Sequence, residues 1–146
     1  MPEFNNEGMF GKYQHSMDPK GRLFVPSKLR ESLGDTFYVM IGFEHYLTAY
    51  PAAKWFAFME QCSQLPPSKA KNVRYLLANT AKVEPDKQGR FLLPQLLREY
   101  AQLKDEVTFI GQGDHAEIWN SAVYDEAEKA FLSSGDLMAE FEALGF

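Results

Sequence analysis

The sequence predicts an α+β, predominantly β protein made of two tandem units packed as a pseudo-twofold pair, with connecting and C-terminal helices. Three observations carry that prediction. Asp18-Pro19-Lys20-Gly21-Arg22-Leu23-Phe24-Val25-Pro26 reappears as Asp86-Lys87-Gln88-Gly89-Arg90-Phe91-Leu92-Leu93-Pro94, an offset of 68 residues. The match continues through Leu29/Leu97, Arg30/Arg98, Glu31/Glu99 and Val39/Val107, then slips by one residue to pair Gly42 with Gly111 and Tyr50 with Trp119. A unit of roughly 45 residues struggles to bury a core alone, so the two copies should pack on each other. The 146 residues are 45% hydrophobic and 14% aromatic, ample material for one shared core.

Each copy has the same local grammar. Met9, Tyr13 and Met17 share one face of an alternating run that opens the first copy. Asp-x-x-Gly-Arg is turn chemistry, because Asp caps its own following amides and Gly supplies a positive φ. Short strands follow over 22–25 and 90–93, and Pro then suits the first turn of helices over 26–33 and 94–103. In the second of these, Leu96, Leu97 and Tyr100 sit at helical spacing. β-rich runs over 36–41 and 107–110 are broken by Gly42 and Gly111 and resume over 47–50 and 117–119.

Helices join and extend the copies. Pro51 opens one whose Ala52, Trp55, Phe56 and Met59 follow i, i+3, i+4, i+7 spacing, and Leu65-Pro66-Pro67 ends it. Ser68 reads as the N-cap of a second helix, with Val73, Leu76 and Leu77 inward. Ser121 reads as the cap of a third, with Asp125 and Glu126 near its positive end. Gly135 precedes an acidic tail with a weak stripe of Leu137, Met138, Phe141 and Leu144, and the sequence leaves its order beyond about Ala130 open. These stripes read as core or subunit interface rather than a cofactor box. The resulting division is a first unit over 12–56, connecting helices over 57–79, a second unit over 80–124 and an acidic helix or tail over 125–146.

Net charge is −5, which by itself argues against a nucleic-acid partner. The distribution argues otherwise. Residues 9–98 hold thirteen Lys and Arg against seven Asp and Glu, whereas residues 99–146 hold two against eleven. Such asymmetry implies one polyanion-facing surface and one solvating or self-associating surface. The densest basic run is Lys12, Lys20, Arg22, Lys28 and Arg30, with Asp18 the one acid inside it.

Other classes are disfavoured. One cysteine, Cys62, excludes an intrachain disulfide or thiolate cluster, and His15, His45 and His115 are scattered, so no metal or cofactor is expected. Cys62 reads as a buried small hydrophobe. No apolar run nears the ~18 residues of a membrane span and no signal-peptide order opens the chain, so a soluble, cytoplasmic protein is expected. No phosphate-binding Gly-rich loop, His-Glu-x-x-His or Gly-x-Ser-x-Gly is present, and no enzymatic activity is expected. His45 adjoins Glu44 and His115 adjoins Asp114, but neighbours on a strand point to opposite faces.

The paired Asp-x-x-Gly-Arg segments support two compatible readings. Locally, Asp18 and Asp86 can hold the turn amides or Arg22 and Arg90. Functionally, Arg suits phosphate oxygens, or guanine O6 and N7 in a major groove. Both hold if Asp orients Arg for a ligand. The candidate DNA-binding residues are Lys20, Arg22, Lys28, Arg30, Lys87 and Arg90, with Asp18, Gly21, Asp86 and Gly89 orienting the loops. The denser charge of the first copy makes Arg22 the lead residue over Arg90.

From Met9-Phe10 to about Lys129 the chain resembles the bacterial MraZ family, whose members carry two AbrB-like units, each with Asp-x-x-x-Arg. The matching pieces are Asp18 to Pro26, Asp86 to Pro94, Leu76-Leu77-Ala78-Asn79-Thr80-Ala81, and Val107 to Trp119 with Ile110-Gly111-Gln112 and Glu117-Ile118-Trp119. Met1 to Gly8 precede the Met-Phe start of that pattern. The resemblance implies a nucleoid-associated transcription regulator binding double-stranded DNA at direct repeats upstream of the cell-division and cell-wall gene cluster. It also implies a ring-like homo-oligomer with the Asp-x-x-x-Arg loops on a basic face, and no membrane partner. The alternative is an adaptor whose basic face binds an acidic protein.

Overall fold

Two β-hairpins, one from each repeat, meet edge to edge at the centre of the computed structural model, which describes residues 7–146. Of the segment ahead of the Met-Phe start, only Glu7 and Gly8 fall among the described residues. The first hairpin is β3 (Phe37–Ile41) with β4 (Leu47–Pro51), and the second is β7 (Glu106–Gly111) with β8 (Ala116–Asn120). β4 pairs with β8 through Leu47↔Ile118 and Ala49↔Ala116. The outer strands are exchanged. β1 (Lys12–Ser16) of the first repeat lies on β7 of the second, and β5 (Ala81–Val83), which opens the second, lies on β3 of the first. The six-stranded antiparallel order is β1-β7-β8-β4-β3-β5.

Beside this sheet runs a ribbon of two residues per strand, β2 (Leu23–Phe24) against β6 (Arg90–Phe91), again one strand from each repeat. The helices after these strands close the core. α1 (Ser27–Leu33) buries Leu29 and Leu33, and α5 (Gln95–Tyr100) buries Leu97 between Leu93 and Ala101 at i, i+4 spacing. Strand alternation supplies the facing layer of Phe37, Val39, Leu47, Ala49, Val107, Phe109 and Ile118. Full burial of each large side chain stabilises by roughly 1.5–3 kcal/mol. Neither repeat holds this core alone, because among the described residues every strand pair outside the two hairpins crosses between repeats.

Helical residues outnumber strand residues, yet the core belongs to the sheet, α1 and α5. α2 (Ala52–Ser63) buries no residue, so of the two readings of its stripe, core or subunit interface, the core of this chain does not take it up. Trp55 stacks on Tyr38 at 4.9 Å, while Phe56 and Met59 are exposed within one chain. Leu96, at helical spacing with Leu97 and Tyr100, is exposed, because the buried line runs from Leu93 through Leu97 of α5 to Ala101. That helix stops short of Leu103, as Gln102 takes a left-handed φ of +56°.

Ser68 lies inside α3 (Pro67–Ala70), with Pro66 at its N-cap and Pro67 in the first turn. A 3-10 turn (Lys71–Val73) and α4 (Arg74–Ala78) follow, with Val73, Leu76 and Leu77 half-buried. The cap of α6 (Ser121–Ser134) is Asn120, whose side chain accepts from the Val123 amide at 3.2 Å. Ser121 is instead buried, with its Oγ 2.6 Å from Thr108 Oγ1. The tail is helical: α6 ends at left-handed Gly135 and α7 (Asp136–Ala143) follows, its apolar stripe exposed.

Candidate nucleic-acid interface

The two Asp-x-x-Gly-Arg segments fold into the same loop. Asp18 Oδ1 accepts from the Lys20 and Arg22 amides at 3.0 and 2.8 Å, and Oδ2 accepts from Arg22 Nε at 2.6 Å. Asp86 does the same with the Gln88 and Arg90 amides, both at 2.9 Å, and with Arg90 Nε at 2.8 Å. The chain turns through Gly21 and Gly89, at φ +79° and +83°, whose amides donate to the Asp18 and Asp86 carbonyls. A Cβ is disfavoured in this left-handed region, which accounts for glycine in both copies.

The carboxylates are occupied by design of the loop. At Asp18, burial pushes the pKa up, but the Arg22 and Lys20 amides and the Arg22 guanidinium outweigh it and hold the group below its ordinary value. At Asp86, the Arg90 amide leads over opposing burial, aided by the Arg90 side chain, and the result is again downward. Each arginine is gripped through Nε. Among the described residues the terminal amino groups of Arg22 and Arg90 donate no hydrogen bond, so their forks are available to a planar acceptor pair. A guanidinium fixed before binding loses less side-chain entropy on contact.

The ribbon dictates where the remaining cations go. β2 and β6 are antiparallel and each follows its own loop, so the loops sit at opposite ends of the ribbon. The chain leaving β2 therefore arrives beside the second loop, where the Val25 amide donates to the Gly89 carbonyl at 2.9 Å. α1 begins there, and the Arg30 guanidinium carbon lies 3.5 Å from where a Gly89 Cβ would stand. Symmetrically, a terminal nitrogen of Arg98 on α5 lies 3.3 Å from the corresponding position at Gly21.

The sequence-predicted residues thus divide differently from their order in the chain. Lys20 and Arg22 share the first loop, whereas Arg30 joins Lys87 and Arg90 at the second, lining one cleft with Asp86 and Lys87. Lys28, two residues before Arg30, turns to a different cleft. It lines a cleft with Glu7, Phe10, Tyr13 and Glu31. Arg98 was not among the sequence candidates, although its repeat partner Arg30 was. The Arg30/Arg98 correspondence was the signal that could have found it. Arg98 at the first loop and Arg30 at the second give each loop one helix arginine, and Asp35 adds a second carboxylate to the cleft of the second loop.

Elsewhere, His115 and Asp114 lie in the β7–β8 turn rather than on a strand, and they do bond, Nδ1 to Oδ1 at 2.8 Å. Asp114 also pairs with Lys54 at 2.8 Å, so this cluster ties α2 to the turn. Cys62 is half-buried, and burial pushes its thiol pKa up. No helix among the described residues is long and apolar enough to cross a membrane.

Comparison with known proteins matches this architecture. A family model described as "MraZ protein, putative antitoxin-like" matches twice in tandem, over residues 9–75 and 76–144. "Transcriptional regulator MraZ" of Carboxydothermus hydrogenoformans is 39% identical over 138 residues, covering 90% of this chain and 96% of its own. The protein of the same name from Pediococcus pentosaceus is 38% identical over 133 residues, covering 89% and 93%. That of Lachnoclostridium phytofermentans is 41% identical over 138 residues, covering 90% and 95%. Matched along both repeats and nearly from end to end of these relatives, the chain belongs to the MraZ family.

Proposed function

We propose that this chain is a transcription regulator that binds double-stranded DNA sequence-specifically, at short direct repeats upstream of the cell-division and cell-wall gene cluster. The name carried by its relatives supports regulation. The observation that carries DNA binding is the duplicated loop, in which a carboxylate fixes an arginine through Nε and, among the described residues, leaves its fork unbonded. That fork suits guanine O6 and N7, while Lys20 and Lys87 add charge for the phosphates. The units over 12–56 and 80–124 each supply one such loop, and the helices over 57–79 and 125–146 serve assembly.

Assembly matters because a −5 protomer repels DNA overall. Screening limits that repulsion to roughly 8 Å at physiological salt, so the loops engage if the acidic C-terminal helices point away. A ring-like homo-oligomer imposes that orientation by symmetry, and the exposed stripes of α2 and α7 supply apolar surface for its contacts. Loops spaced around a ring would hold successive boxes and raise affinity through effective concentration.

Light scattering and salt-dependent titration test this reading. The expected results are an oligomer larger than a dimer, a steep salt dependence, and much tighter binding to several boxes than to one. A protein that is monomeric at micromolar concentration and binds one box as tightly as several overturns the ring. Equal affinity for cognate and scrambled duplex overturns specific regulation.

A further inference from the structure

We infer that each DNA site is composite: the loop of one repeat is completed by a helix arginine of the other, Arg98 at the first loop and Arg30 at the second. These arginines grip phosphate while Arg22 and Arg90 read bases. The inference rests on the DNA-binding reading above and assigns Arg98, which neither the sequence motif nor the family match singles out.

Charge and anchoring separate the two kinds of arginine. Arg22 and Arg90 each share their charge with a carboxylate, at 2.6 and 2.8 Å, so each contributes directed donors more than net positive potential. Among the described residues neither Arg30 nor Arg98 forms an ion pair within 4 Å, although Asp35 and Asp86 line the cleft that Arg30 occupies. Arg98 is nonetheless fixed in place, because its Nε donates to the Leu93 carbonyl at 3.0 Å. Its terminal nitrogen lies over Gly21, one residue from Arg22, where a side chain in place of hydrogen would press on it. Arg30 lies over Gly89 at ordinary contact distance, its guanidinium carbon 3.5 Å from where a Cβ would stand. A helix arginine outside any ion pair, beside a carboxylate-paired, fork-presenting arginine, is the arrangement that suits a base edge and its flanking phosphate.

The crossing follows from the antiparallel ribbon, so it makes a prediction that sequence order does not. Arg22 should cooperate with Arg98, 76 positions away, and not with Arg30, eight positions away. Full-length variants are titrated by fluorescence anisotropy against a duplex copied from the DNA immediately upstream of the gene, and against a shuffled duplex of equal composition. Arg98→Gln preserves a donor for the Leu93 carbonyl. It should weaken both duplexes by the same factor and lower the salt slope by about one per site. Arg22→Ala should instead reduce the preference for the upstream duplex by about tenfold or more.

Arg22→Ala with Arg98→Gln should be non-additive, and Arg22→Ala with Arg30→Gln additive. Arg30→Gln, at an exposed position, gives the same test on the second loop if Arg98→Gln does not fold. Unchanged affinity and slope in folded Arg98→Gln and Arg30→Gln, with wild type still preferring the upstream duplex, overturns the composite site and leaves the DNA-binding reading standing. Coupling of Arg22 to Arg30 rather than to Arg98 also overturns it. A wild-type chain with no preference overturns the DNA-binding reading itself.

Discussion

The two Asp-x-x-Gly-Arg loops have nearly the same bonds but different surroundings. The Asp18 side chain keeps 13% of its surface exposed and Asp86 41%, although both hold two amides and one guanidinium. Leu92 and Met17 crowd Gly21 together with Arg98, whereas Gly89 is buried beneath Arg30. The difference teaches that loop geometry is local and loop environment is not. Five residues determine the turn, while the other repeat determines what stands behind it.

The largest effect expected on this comparison comes from the ribbon that joins the loops. Phe91 is buried, edge-on to Phe37 at 5.5 Å and to Phe109 at 6.4 Å, and it pairs with Leu23 across the ribbon. Phe91→Ala should cost about 3–5 kcal/mol in denaturant unfolding, and Leu23→Ala about 2–5 kcal/mol. Both should loosen the two loops together, read by amide exchange at Arg22 and Arg90. Loosening confined to one loop would break the picture of a shared scaffold.

Next come the reading arginines. Arg22→Ala and Arg90→Ala should each cost about 1–3 kcal/mol per base pair contacted, multiplied where several subunits bind one DNA. Lys104→Ala, in the acidic half, should change little. Because each loop has one helix arginine behind it, the two losses should be comparable in competition titration. A loss confined to Arg22→Ala would restore the first repeat as the dominant reader.

Smaller effects sharpen the contrast between environments. Gly21→Ala and Gly89→Ala both force a side chain into left-handed backbone, at about 1–2 kcal/mol each in thermal unfolding. Gly21→Ala also moves the Arg98 nitrogen, 3.3 Å away, by a few tenths of an ångström, whereas the Cβ at Gly89 meets Arg30 at an ordinary 3.5 Å. DNA affinity should therefore fall more for Gly21→Ala than for Gly89→Ala.

The smallest expected effect is a pH dependence. Both loop carboxyls are held below their ordinary range, so their contribution is present above the unfolded pKa, about 3.9, and is lost as pH falls through the lower folded value. Wild type should melt above Asp18→Asn and Asp86→Asn at neutral pH, with the gap closing below about pH 4. The gap should be wider for Asp18, which is the less exposed. A gap unchanged down to about pH 3 would mean that ionisation does not hold the loops.

What was legible in the sequence follows the range of the interactions involved. Strand boundaries near Gly42 and Gly111, proline before α1 and α5, and the carboxylate–arginine turns all depend on neighbours a few residues away. Side-chain burial was less legible. Leu96 and the Phe56–Met59 stripe have helical spacing, but spacing does not say which face a sheet covers. Asn120 displaced Ser121 as a cap because Ser121 is taken up by Thr108, a partner from β7.

The sequence by itself determined that there are two copies of one unit, that each carries a loop built around an Asp and an Arg, and that one core serves both. Only the tertiary structure decided which arginine stands behind which loop. An antiparallel pairing of β2 with β6 sends each chain to the far end of the ribbon, and so delivers Arg30 to Gly89 and Arg98 to Gly21. Strand direction is a relation between segments 68 residues apart, set by how two apolar faces close on each other, and no local pattern encodes it.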